Sequence, residues 1–138
     1  MKKASIVVTF VVAVLAVMAI VLFGPSRPLP QLSGPVIAHF ETQDGQQTSV
    51  TLTEEESARI LEILNGQTSE FLGFGVTPMC GFSRDTALEI DGRRYNLALD
   101  TCPRLQHPLL FRFISISDDE QQVIADILLR YGAKYPNV

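Results

Sequence analysis

Residues Met79–Pro103 read MCGFSRDTALEIDGRRYNLALDTCP and contain both cysteines of the chain. Asp91-Gly92 lies near the middle, between runs that alternate apolar and polar residues. Such a dipeptide is a strong signal for a two-residue β-hairpin loop, because both positions tolerate positive φ. That loop pairs Ile90 with Arg93, Glu89 with Arg94 and Leu88 with Tyr95. At the open end the same register sets Cys80 opposite Pro103 and Cys102 opposite Gly81. A three-residue loop would set Cys80 directly opposite Cys102. A bulge near Gly81 reconciles the first register with a bridge. Either way the thiols come within reach of a disulfide, which needs Cα atoms about 4.4–6.8 Å apart. They lack the Cys-x-x-Cys spacing of a redox catalyst. The predicted disulfide is Cys80–Cys102.

Upstream, Val36–Leu52 predicts another hairpin. A three-residue loop at Gln43, Asp44 and Gly45 pairs Thr42 with Gln46, Ala38 with Val50 and Val36 with Leu52. Thr53-Glu54-Glu55-Glu56 is a capping box that opens a helix ending near Gly66. The segment VTLTEEESARILEIL (Val50–Leu64) resembles ISISDDEQQVIADIL (Ile114–Leu128), so a second capped helix follows from about Asp118 to Tyr131. Further strands are expected near Arg84–Ile90, Arg93–Leu99 and Leu109–Ile116, with a short one conceivable in EFLGFGV. The predicted class is α+β: an antiparallel sheet of about five strands in the order β-β-α-β-β-β-α, with two helices on one face.

The first thirty-five residues read differently. Ala4–Phe23 carries no charge, and as a helix it would rise roughly 30 Å, the hydrocarbon thickness of a bilayer. Residues 1–23 are therefore expected to be a transmembrane anchor or uncleaved signal, with a secreted, signal-cleaved chain as the alternative. Lys2 and Lys3 would keep the N-terminus cytoplasmic and the C-terminal domain extracytoplasmic. Residues 24–35, with four prolines, predict a linker. That leaves 36–138 as the domain.

Without Lys2, Lys3 and Arg27, eight basic side chains face fifteen acidic ones. This balance argues against nucleic-acid binding, which requires neutralised phosphates. The charge is polarised. Arg84, Arg93, Arg94, Arg104 and Arg112 cluster in the hairpin region, while the acids gather at the helix starts. Arginine pairs bidentately with carboxylate and phosphate, so Arg84, Arg93, Arg94 and Arg104 are candidate contacts for an anionic ligand or an envelope or extracellular protein. Phe71, Phe74 and Phe82, flanking a glycine-rich loop, are expected to fill core.

His39 is expected on the strand face opposite Ala38 and Phe40. Met79, Cys80, Cys102 and His107 form an alternative set for copper or zinc, although their spacing matches no recurring metal motif. No hydrolase, zinc-protease, phosphate-loop or dinucleotide motif is present, so neither an enzyme nor a cofactor is expected. The expected function is a membrane-anchored binding module with one disulfide; the alternative is metal binding or delivery.

Overall fold

Asp91 and Gly92 both adopt positive φ, 50° and 71°, as a mirror-image hairpin turn requires. The structure, a computed structural model, describes residues 2–24, 26–73, 80–109 and 111–136. Its elements are α1 (Lys2–Phe23), β1 (Arg27–Pro28), β2 (Ile37–Glu41), β3 (Gln47–Thr51), α2 (Glu54–Leu64), β4 (Thr68–Phe71), β5 (Phe82–Ile90), β6 (Arg93–Ala98), β7 (Arg104–Gln106), β8 (Arg112–Ser115) and α3 (Asp118–Arg130). The strands form one antiparallel sheet in the order β1-β4-β8-β7-β6-β5-β2-β3.

Both local registers follow the turn chemistry. Ile90 pairs with Arg93, Glu89 with Arg94 and Leu88 with Tyr95. In the first hairpin Ala38 pairs with Val50, and the Thr42 N–H donates to the Gln46 carbonyl at 2.8 Å. Gly45 takes the left-handed position, φ 79°. Side chains alternate across each strand, so Phe40, Leu88, Ile90, Tyr95, Leu97, Leu105 and Ile114 face one side. There they pack in a single core with Ile60 and Leu64 of α2 and Ile124, Ile127 and Leu128 of α3.

The α+β class holds, but two parts of the expected architecture are corrected. The sheet has eight strands instead of about five. β1 and β7 are two and three residues long, too short to show alternation in sequence, and β1 lies in the proline-rich segment 24–35. That segment also buries Leu29 and Leu32. The Asn65 side chain holds Leu32 at both backbone groups, at 2.8 and 3.1 Å.

The second correction concerns α1. Among the described residues, no helix is long and apolar enough to cross a membrane. The transmembrane or signal anchor is therefore not supported. Nor is the single-pass localisation, cytoplasmic at the N-terminus and extracytoplasmic beyond, that was built on it.

Both capping boxes form. Thr53 and Glu56 satisfy each other's backbone N–H groups at the start of α2, as Ser117 and Glu120 do for α3. Glu56 does more. Its carboxylate accepts the Tyr131 hydroxyl at 2.6 Å and pairs with Arg130 at 3.2 Å, joining the start of α2 to the end of α3. Burial pushes the Glu56 pKa up, but the Tyr131 and Thr53 hydrogen bonds and the Arg130 charge outweigh it and hold the carboxyl below its usual 4.5. A depressed carboxyl stabilises the fold fully above its unfolded pKa and less as pH falls through the folded one. Glu56→Ala should cost about 1–3 kcal/mol at pH 7, since it strands a hydroxyl and an N–H. In urea denaturation the gap between wild type and variant should narrow below about pH 4.5; a constant gap down to pH 3 would refute the linkage.

Candidate functional site

The covered face of the sheet is core, and the opposite face carries the polar chemistry. The β5–β6 ladder is regular from Ile90↔Arg93 to Ala87↔Asn96, then shifts so that Phe82 pairs with Ala98. β5 thus carries extra residues between Phe82 and Ala87, and such a bulge re-aims side chains. Arg84 and Asp85 lie in it, exposed. The bulge falls a few residues past Gly81, where the sequence suggested it.

On that outer face His39 is the hub, with only 13% of its side chain exposed. Its Nε2 lies 2.8 Å from Glu89 Oε2 and its Nδ1 2.7 Å from Ser49 Oγ. Arg94 Nη2 is 3.3 Å from Nδ1, and Arg94 Nε is 3.5 Å from Glu89 Oε2. The His39 hydrogen bond, ahead of the smaller opposing effect of burial, holds the Glu89 pKa below its usual value, with the charges of His39 and Arg94 helping. A hollow of about 220 Å³ beside this cluster is lined by His39, Gln47, Thr48, Ser49, Arg84, Asp85 and Arg94.

Arg84 and Arg94 also border a larger concavity of about 430 Å³ at the turn end of the sheet, completed by Gly92, Arg93, Asn96, Gln106, His107 and Pro108. Among the described residues, no carboxylate lines it. Among the described residues, neither Arg84 nor Arg93 has an acid within ion-pair distance. A hollow of equal volume at the start of α2 is lined mainly by apolar groups and Glu54, and it gathers no comparable charge.

Three of the four candidate arginines, Arg84, Arg93 and Arg94, therefore come together. Arg104, on β7 opposite Ser115, does not line the concavity. Arg112 is no surface cation: it is 1% exposed. Its Nε and Nη2 donate to the Ser69 hydroxyl and carbonyl at 3.0 and 2.7 Å, and its Nη1 donates to the Gly24 carbonyl at 3.0 Å. Phe82 packs on Phe113 with ring centroids 5.4 Å apart, while Phe74 lies outside the described residues.

Cys80 and Cys102 form the expected disulfide, with Cα atoms 5.6 Å apart. Asp100 joins them in a group whose ligand atoms lie within 4.8 Å of one another and could hold a metal ion. His107 is not in that group. It packs edge-on against Tyr95, at 5.9 Å between centroids, and its Nδ1 accepts the Leu109 N–H. Met79 lies outside the described residues. The alternative ligand set is thus not assembled as the sequence suggested: His107 belongs to the arginine concavity, and Asp100 takes its place beside the sulfurs.

Sequence reasoning missed the Ser49–His39–Glu89 cluster. Half of it was legible, since the register pairing Ala38 with Val50 also pairs His39 with Ser49. Glu89 arrives through the long-range pairing of β2 with β5, which no local signal announces. Compared with family models, curated proteins and solved structures, the chain finds no match.

Burial, then the nearby charges of Arg112 and Arg93, push the His107 pKa down from 6.5 to about 4. His107 is therefore neutral in the folded chain at pH 7. A base with a depressed pKa stabilises the fold above its unfolded value, and that contribution fades as pH falls from 6.5 toward 4. The urea midpoint should drop between pH 7 and pH 5. His107→Asn, which keeps an acceptor for the Leu109 N–H but does not titrate, should flatten the drop. An unchanged slope would show that His107 does not govern it.

Proposed function

We propose that this chain is a binding domain for a ligand bearing a carboxylate or phosphate group, seated in the concavity of Arg84, Arg93 and Arg94. One observation carries this reading: three arginines border a concave surface whose lining, among the described residues, contains no acid. In an acidic domain such local cation density is not compositional drift. Guanidinium groups offer fixed pairs of donors that match oxyanions, and Asn96 and Gln106 add neutral donors, although Asn96 Nδ2 already donates to Gln106 Oε1 at 3.0 Å. Neutral His107 adds no charge of its own.

Inorganic phosphate and citrate serve as probes. Isothermal titration should detect binding that weakens with salt and is lost in Arg84→Glu with Arg93→Glu. Neither position has an ion-pair partner among the described residues, so the thermal midpoint should stay within a few degrees. Binding that persists in the double variant would remove the concavity as the site.

A second reading is favoured by the Cys80–Asp100–Cys102 group. Two thiolates and a carboxylate suit zinc or copper, but sulfurs bonded to each other cannot act as thiolates. The reading therefore requires a dithiol reductant. Reduced protein should bind one equivalent of Co²⁺ with thiolate-to-metal absorption, weakened in Asp100→Asn. Reduced protein that leaves Co²⁺ in its aqueous spectrum would eliminate it.

A further inference from the structure

The Ser49–His39–Glu89 chain meets the geometric requirements of an activated nucleophile; it shares Arg84 and Arg94 with the arginine concavity but does not require that concavity to bind an anion. A carboxylate only accepts hydrogen bonds, so Glu89 fixes the proton of His39 on Nε2, at 2.8 Å. The Nδ1 lone pair is then left facing Ser49 Oγ at 2.7 Å. Arg94 Nη2, a donor only, stands 3.3 Å from Nδ1 and 3.5 Å from Nε2, so the tautomer is set by Glu89 and not by Arg94. Nucleophile, base and orienting acid are thus all within hydrogen-bond reach. The ring is turned relative to the usual serine triad, in which Nε2 faces the serine and Nδ1 the acid. Here Nδ1 faces Ser49 and Nε2 faces Glu89, and the roles follow from geometry.

The remaining requirements are access and charge stabilisation. Ser49 is exposed on β3, an edge of the sheet. It opens on the 220 Å³ hollow, where Arg84 and Arg94 also stand. Two guanidinium groups beside the serine can stabilise the oxyanion that forms when a carbonyl is attacked. Asp85 lines the same hollow and would disfavour an acyl group that is itself anionic.

We propose that Ser49 is the nucleophile of an acyl-transfer site, with His39 as general base, Glu89 as its positioning residue and Arg84 and Arg94 as oxyanion donors, acting on small esters with a neutral acyl group. Ser49 Oγ bonds to the acyl carbon while its proton moves to His39 Nδ1. The tetrahedral adduct collapses, the alkoxide leaving group takes that proton, and the acyl group remains on Ser49. Water, deprotonated by the same nitrogen, then attacks the acyl carbon. The acid departs, and the proton returns to Ser49 Oγ.

A neutral alkyl fluorophosphonate tests this directly. The Oγ–P bond forms, the P–F bond breaks, and HF is lost, so intact mass reads the adduct and peptide mapping locates it. The expected result is one adduct, on Ser49. It should be absent in Ser49→Ala and form at least a hundredfold more slowly in His39→Gln. Glu89→Gln should slow labelling at least tenfold and shift its pH profile, which a purely structural role would not do. 4-Nitrophenyl acetate should be hydrolysed in step with labelling. Because the probe is neutral, phosphate binding can fail without affecting this result. No adduct on Ser49, or equal labelling in folded His39→Gln, would overturn the proposal.

Discussion

Asp91 and Gly92 hold Glu89 across from Arg94, and that pairing decides which side chains of the sheet reach the core. Strand side chains alternate with a period of two, so a slip of one residue would exchange the faces. Leu88, Ile90, Tyr95 and Leu97 would move to solvent, and Glu89 and Asn96 would be driven against α2 and α3. Burying unpaired charge costs far more than a hairpin turn can supply. The register is consequently fixed twice, by turn geometry and by the core. β2 inherits it through Ala38↔Leu88, and this places His39 next to Glu89.

α2 and α3 pack on one face of the sheet, and the polar cluster around His39 lies on the other. His39 shows what that face permits: its ring is largely shielded, yet both nitrogens have partners. The bulge in β5 adds Arg84, and the turn adds Arg93 from the core-side register at the strand's end. The disulfide closes the opposite end of the same hairpin. A loop of this length contributes about 3 kcal/mol through the unfolded chain, and it holds the bulged strand where the ladder is least regular. Arg112, buried beside Ser69, serves the far side by tying the segment after α1 to β4.

What the sequence made legible was whatever rests on local rules. The two hairpin registers, both capping boxes and the Cys80–Cys102 bond all follow from a few neighbouring residues. β1 and β7 were hidden because strands that short have no periodicity. Residues 24–35 read as a spacer because prolines dominate the local signal, whereas Leu29 and Leu32 are drawn into a core assembled from distant strands. The uncharged run at the N-terminus suggested a spanning helix on length and hydropathy alone. The arginine concavity was half visible, as a cluster of charge in sequence. Its removal of Arg104 and Arg112 depends on strand order and burial, which sequence clustering does not encode. Glu89 joined His39 only once β5 was known to pair with β2.

The central claim is that the Asp91-Gly92 turn sets one register for β5, β6 and β2, and with it the composition of the outer face. Proton NMR reads that register directly, because Hα atoms of non-hydrogen-bonded antiparallel pairs lie closest together. In a two-residue hairpin those pairs are Glu89–Arg94 and Ala87–Asn96. Strong Hα–Hα cross-peaks between Glu89 and Arg94 and between Ala87 and Asn96 are the predicted result. A strong cross-peak linking Leu88 to Arg94 in their place would contradict the register, and with it the site built on the outer face.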